Sequence, residues 1–283
     1  MPNDSFTSRV VVKAGRFVFR NGISKPFLSG DLFASEADLN IPSEFHKSKN
    51  FLSMVKDARV IFCNGYLAED FINSFGKHLS AKVLIVGNSD KDWYDFPIAL
   101  APGIKSIFLQ NSFVTDSRIV PLPIGIENLS YYRNGRSKNF RDSFIRSEKV
   151  DKVLVGPLSP THELRRTFME NIFDSPRIEV ISNRVMEPYQ YAKVSSTYGY
   201  IASPRGNGED THRTWESLYR GCSPVLLRNK WSESLSSFGL PISYVDEWTP
   251  ERLEVLEPFK RFNPSEIHSL WWPYWQSKIK SLI

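Results

Sequence analysis

Nine short apolar runs, spaced along the chain and separated by helix-like segments, constrain this sequence more than any other feature. Four lie in the first half: Arg59–Cys63, Lys82–Gly87, Ser106–Gln110 and Ile119–Pro121. Five follow: Lys152–Val155, Arg177–Ile181, Gly199–Ala202, Pro224–Leu227 and Ile242–Val245. Each is a few residues long and rich in β-branched or aromatic side chains. Polar alternation is slight, as in parallel strands buried on both faces. Between them, Leu67–Leu79, Pro160–Phe173, Asp210–Arg220 and Pro250–Phe259 carry apolar residues at helical spacing or the capping residues that open helices. Strand–helix alternation twice over predicts two α/β domains with parallel sheets. The 283 residues leave room for two domains of about 140 each.

The divide is expected in Glu127–Asp151, a polar, charged stretch poor in aliphatics that reads as a linker. This gives a first domain over residues 1–140, a second over 150–262 and a C-terminal helix over 263–283. The last segment opens at Pro264-Ser265-Glu266 and carries Trp271, Trp272, Tyr274 and Trp275 before a basic end. Such a helix either docks on the body of the protein or lies on a membrane surface. Its two lysines, Lys278 and Lys280, favour docking.

Composition removes several classes. The chain is 41% hydrophobic and 24% charged, which excludes disordered and low-complexity proteins. No apolar run reaches the ~20 residues of a membrane span. The first residues lack the basic start and apolar core of a secretory leader. Cys63 and Cys222 stand far apart, so no disulfide framework or CxxC metal site is expected, and a reducing, cytoplasmic setting is. Thirty-six Lys and Arg against thirty-one Asp and Glu leave a net charge of +5, suited to an anionic partner. The bases are scattered, and most aromatic residues sit inside apolar runs. A basic nucleotide- or nucleic-acid-binding regulator is therefore the weaker alternative.

Chemistry concentrates in Tyr198–Leu227. A strand ends in Ser203-Pro204-Arg205-Gly206-Asn207-Gly208, and a helix then begins near Asp210-Thr211-His212-Arg213. Glycines let the loop backbone approach a ligand, and a helix N-terminus offers unpaired N–H groups and a positive dipole end. Arg205 and Arg213 flank that point and can fork onto phosphate oxygens. Glu216, one turn beyond His212, is an acid placed to accept from ribose hydroxyls, or to pair with Arg213. Together they predict a nucleotide-diphosphate site beyond the carboxyl end of a parallel strand.

SPRGNGEDTHRTWESLYRGCSPVLL resembles the signature segment of exostosin-like glycosyltransferases and of related bacterial and phage enzymes that act on surface polysaccharides. Leu240-Pro241-Ile242 with Val245-Asp246-Glu247-Trp248 is similar to a further element of that family. So are Asn88-Ser89-Asp90, Gln110-Asn111 and Pro121–Asn128. One departure is Gly87, where the family often has His. The resemblance implies a GT-B architecture, two Rossmann-like domains facing each other across a cleft, and a sugar transferred from a nucleotide-sugar donor to a glycan or saccharide acceptor. It implies that the second domain holds the donor, that the first is the acceptor side and that the C-terminal helix packs back towards the first. By position, Arg205 and Arg213 would bind the diphosphate. Gly206, Asn207, Gly208, Asp210, Thr211 and His212 would shape the loop, and Glu216 would hold the ribose. Either Arg165 or Arg166 would add a donor-binding base.

An inverting transferase needs a base near the acceptor hydroxyl, and the candidates are Asp90, then Asp31 and Glu127. A retaining one needs none. Asp90-Lys91-Asp92 is also a D-x-D of the kind that holds a divalent cation in single-domain GT-A transferases. Because the arginine-rich loop already supplies positive charge for a leaving diphosphate, the expectation is metal-independent transfer without a cofactor.

Overall fold

The computed structural model describes residues 27–41, 49–128, 134–181 and 186–283. The reading of the first residues as leaderless falls on residues 1–26, outside the described ones. The described residues form two units. One runs to Ile124 and takes in Asn128 and Trp271–Ile283; the other comprises Gly125–Glu127 and the chain from 134 to Leu270.

The first unit is built on five parallel strands lying side by side in chain order: β1 (Leu39–Ile41), β2 (Val60–Asn64), β3 (Val83–Gly87), β4 (Ser106–Leu109) and β5 (Ile119–Pro121). β1 has no counterpart in the sequence reading. Its three residues run buried, exposed, buried, so it presents no apolar run. Successive side chains of a strand point to opposite faces, so the sheet needs two covers. Ile61, Cys63, Leu84, Val86, Ile107 and Leu109 pack with Val55 of α2 (Lys49–Asp57) and Phe71 and Ile72 of α3 (Ala68–Phe75). The other face is met by α1 (Gly30–Glu36) and by the last helix of the chain, Trp272–Lys280. Trp275 lies 6.3 Å from Phe108 and 5.7 Å from Phe33 of α1, ring centre to ring centre.

The aromatic tail is thus a structural part of the first sheet's core. Its helix starts at Trp272, eight residues later than expected, with Pro273 in the first turn where a missing N–H costs nothing; Pro264–Glu266 is only a short 3-10 turn. Trp275 is wholly buried. Trp275→Ala is expected to destabilise the protein by about 3–5 kcal/mol, read from its denaturant midpoint. A loss under about 1 kcal/mol would show that this ring does not seal the sheet.

The second unit has parallel strands β6 (Val150–Val155), β7 (Ile178–Val180), β8 (Tyr198–Ala202), β9 (Ser223–Leu227) and β10 (Ser243–Val245), in the spatial order β10-β9-β8-β6-β7. Two parallel α/β sheets are what the alternation predicted. After β6 the chain moves outward to β7 and then returns to the opposite side of β6 for β8. Loops leaving β6 and β8 therefore diverge, and a crevice opens at their carboxyl ends. α5 (Glu163–Asn171) covers one face through Phe168 with Leu253 of α8 (Pro250–Glu254); α6 (Pro188–Ser195) covers the other through Tyr191 and Val194.

Two expectations are corrected here. Glu127–Asp151 is not simply a linker. Residues 129–133 lie outside the described ones, but from 134 on the chain is folded into the second unit, with a short helix α4 (Asp142–Arg146) and β6 starting at Val150. Phe140 and Phe144 anchor it: both are buried, the first packing edge-on against Tyr219 and the second beside Tyr189. The long first run of the first unit accordingly closes at Ile124, and Asn128 and Trp271–Ile283 complete that unit. The helix expected over Pro250–Phe259 stops at Glu254, because Pro258 disfavours helical backbone at Glu257 and cannot donate within a helix. Among the described residues no helix is long and apolar enough to cross a membrane.

Candidate anion-binding site

The crevice between the ends of β6 and β8 is where the predicted loop lies. β8 is buried along its whole length and runs into Ser203-Pro204-Arg205-Gly206-Asn207-Gly208, where the Gly206 N–H donates to the Gly208 carbonyl at 3.0 Å. The next helix, α7 (His212–Tyr219), follows with Thr211 in extended backbone at its N-cap. Asp210 is buried and accepts from the Trp215 indole N–H at 2.8 Å, which locks the loop to the helix.

Arg165, from α5, lies against this loop. Its Nε donates to the Arg205 carbonyl at 2.8 Å and its Nη2 to the Pro204 carbonyl at 3.0 Å. A Cβ on Gly206 would stand 3.2 Å from Arg165 Nη2, so the glycine makes room for the guanidinium. Arg213, in the first turn of α7, reaches across to the loop after β6, donating to the carbonyls of Pro157 at 2.6 Å and Gly156 at 3.3 Å. Its guanidinium also lies 5.1 Å from the centre of the Tyr191 ring. Burial, then the positive charge of Arg213, push the Arg165 guanidinium down to about 10, still charged at neutral pH. Among the described residues neither arginine has a carboxylate partner. Arg165 Nη1 also donates to the Thr161 hydroxyl at 3.2 Å and the Ser159 carbonyl at 3.4 Å. Two partly desolvated cations that repel each other, held by neutral oxygens at a sheet's switch point, form a cradle for an anion.

The other predicted residues divide. Of the Arg165-Arg166 pair, Arg165 belongs to the cradle; Arg166 is exposed and pairs with Glu163 one turn earlier on α5. Arg205 is not a free phosphate ligand: its Nη1 meets Glu209 Oε2 at 3.2 Å, and Glu209 is buried and also accepts from Asn229 Nδ2 at 2.7 Å. Asn207 is exposed at the loop tip and its carbonyl accepts from Arg205 Nη2 at 3.1 Å. His212 Nδ1 lies 2.8 Å from the Gly125 carbonyl. A carbonyl only accepts, so Nδ1 is the donor of this contact. Glu216 pairs with Arg220 at 3.3 Å rather than with Arg213. Arg220 is itself buried, donates to the Asn139 carbonyl at 3.2 Å and lies against the rings of Phe140 and Tyr191.

The candidate bases fall in different surroundings. Both oxygens of Glu127 are engaged by Asn134, through its backbone N–H at 2.7 Å and its side-chain amide at 3.1 Å, so Glu127 closes a loop of the second unit. Asp31 and Asp90 lie in the first unit, beside an amide cluster at the carboxyl ends of β2 to β4. Asn128 accepts from the Asp31 N–H at 3.0 Å and donates to Asn88 Oδ1 at 3.0 Å. The Asn88 N–H in turn donates to Gln110 Oε1 at 3.0 Å. Asn88 and Asn111 both adopt left-handed backbone, at φ 53° and 54°, a conformation that side-chain amides tolerate better than most. A Cβ on Gly30 would fall 1.7 Å from Asn88 Oδ1, so only glycine fits there. Among the described residues no three His, Cys, Asp or Glu side chains gather as a metal site, and the two separate sheets do not match the single-domain GT-A alternative.

Sequence reasoning missed Tyr191, Arg220 and the carbonyls of Gly156 and Pro157. Tyr191 has no motif to mark it, and Arg220 lies inside the signature segment but only its packing singles it out. The carbonyls carry no side-chain signal at all.

No protein-family model matches the chain, and no curated protein matches it. Among solved structures it is similar to the crystal structure of AviGT4, a glycosyltransferase involved in avilamycin A biosynthesis, at 13% identity and a TM-score of 0.35, over 86% of this chain and 94% of that one.

Proposed function

We propose that the chain is a GT-B glycosyltransferase that moves a sugar from a nucleotide-sugar donor to an acceptor hydroxyl of a saccharide, without a metal ion. The observation that carries this reading is the Arg165–Arg213 cradle, two cations with no acid between them, next to a helix N-terminus and a glycine loop. The exostosin-like segment that supplies this loop and helix supports it. As the bond from sugar to diphosphate breaks, negative charge grows on the phosphate oxygens. Donors already fixed in place by the Gly156, Pro157, Pro204 and Arg205 carbonyls stabilise that charge without reorganising. Glu216 would accept from the ribose through the oxygen that Arg220 leaves open.

Because the arginines supply the positive charge, turnover is expected to survive excess chelator. The reading is tested by incubating the protein with UDP-, GDP-, CMP- and ADP-sugars and a saccharide acceptor, with and without EDTA. Product formed in EDTA supports it. Activity abolished by EDTA and restored by Mn²⁺ would instead assign charge stabilisation to a metal. A basic regulator of nucleic acid would show RNA binding with a steep salt dependence and no product.

A further inference from the structure

The second unit carries a basic strip that the diphosphate cradle does not use. The stretch around α4 lies alongside α6 and meets it at both ends. At one end Lys138 and Arg141 sit over the Tyr189 ring, 5.6 and 5.2 Å from its centre, with Phe144 beside it. At the other the Ser196 carbonyl accepts from the Ser147 hydroxyl at 2.8 Å and from Lys149 Nζ at 2.7 Å. Lys193 stands between, one helical turn beyond Tyr189 on the same side of α6. Arg261 joins the group from the chain after α8, its Nη2 donating to the carbonyls of Arg146 at 2.9 Å and Ile145 at 3.3 Å. Burial holds the Lys149 ammonium below its usual range, and the charge of Arg261 adds to this.

Lys138, Arg141, Arg146, Lys193 and Arg261 are exposed and Lys149 is half-buried; among the described residues none of these six has a carboxylate partner. Carbonyl oxygens and a tyrosine ring position several of them instead. The acids nearby are fewer: Asp142 and Glu148 on the same stretch, and Glu187 at the N-cap of α6. Asp151 is matched by Arg177 at 3.1 Å. The field over the strip is therefore positive.

From this we infer that the strip is a docking surface for a bilayer of anionic phospholipid. Its side chains favour a bilayer over a nucleic acid. The Tyr189 ring is already engaged by two cations and by Phe144, so it offers little for a base to stack on. The apolar group exposed at the edge of the strip is aliphatic: Val150, directly after Lys149, is 49% exposed. Cations beside an exposed aliphatic side chain suit the boundary between headgroups and acyl chains. Because charge carries the contact, salt reverses it. The inference does not depend on the transferase reading.

Co-sedimentation of the full chain with vesicles tests it, using phosphatidylcholine alone and an equal mixture with phosphatidylglycerol, over a salt series. The protein is expected to bind the anionic vesicles, to ignore the neutral ones and to be released as salt rises. The Arg141→Gln/Arg146→Gln/Lys193→Gln variant should bind about 100-fold more weakly, each cation near an anionic surface being worth about fivefold. The Arg141→Lys/Arg146→Lys variant keeps the charge and should bind as wild type does. Calorimetric titration of UDP, GDP, CDP and ADP should give the same affinities in all three proteins. A folded glutamine variant that binds anionic vesicles as tightly as wild type overturns the docking surface. So does wild type that binds neither vesicle, or both alike. Single-stranded RNA bound in preference to the vesicles, and lost with the same glutamine changes, reassigns the strip to nucleic acid and also overturns it. Vesicle binding that follows the variants while no nucleotide binds upholds the strip and counts against the donor site alone.

Discussion

Arg213→Ala is expected to lower turnover by ~10²–10³-fold at saturating donor, the usual cost of removing one preorganised donor from the site where charge develops. Arg213 has the strongest claim to that role because nothing in the described structure neutralises it and its two donor nitrogens are aimed by the Gly156 and Pro157 carbonyls. Arg213→Lys keeps a charge but loses the planar fork, so only part of the rate should return. The check is kcat and KM for the donor in the three proteins. A normal kcat with a raised KM in the alanine variant would make Arg213 a binding residue only. Arg205, the residue the loop sequence put first, should behave differently. Its charge is already matched by Glu209, which is buried, so Arg205→Ala acts first on stability by removing the countercharge of that carboxylate.

The second large effect falls on Arg220. Arg220→Ala leaves Glu216, whose side chain is 10% exposed, as a buried unpaired charge, at an expected cost of about 3–5 kcal/mol in unfolding free energy. Replacing both, as Arg220→Met with Glu216→Leu, should recover most of that loss, since a buried ion pair and an apolar pair of similar volume are close in stability. Denaturant unfolding of the single and double variants decides. A single variant as stable as wild type would mean that solvent reaches Glu216 freely. The same pairing changes how the ribose role of Glu216 must be tested. Glu216→Ala would strand Arg220 and confuse binding with folding. Glu216→Gln keeps an acceptor oxygen while removing the charge.

How much of this was legible in the sequence depends on which interactions are local. The strand–glycine loop–helix segment could be read because its residue types serve the loop's own backbone: Gly206 gives room, Thr211 opens the helix, and the apolar run of β8 is buried on both faces. Partners from other elements could not be read. Arg165 and Arg166 are neighbours in sequence with the same charge, and only the Pro204 and Arg205 carbonyls, some forty residues away, single out the first. Glu216 lies within reach of arginines on either side along its own helix. Phe140 and Tyr191, which pack on Arg220, decide that it pairs forward. The polar look of Glu127–Asp151 hid two buried phenylalanines, because two anchors in a charged stretch do not make a pattern. That the C-terminal helix packs back towards the first domain is what the resemblance implies; which face of that sheet it covers is visible only in its packing against Phe33 and Phe108.

The cradle is tested most directly by calorimetric titration of UDP, GDP, CDP and ADP, and of the matching monophosphates, into wild type and an Arg165→Met/Arg213→Met variant. Wild type should bind at least one diphosphate more tightly than its monophosphate. The double variant, if its unfolding midpoint is unchanged, should lose about 100-fold or more in affinity, the worth of two charged hydrogen-bond donors. A folded double variant that binds the diphosphate as tightly as wild type, or a wild type that binds none of the four, would contradict the assignment of Arg165 and Arg213 as the diphosphate site.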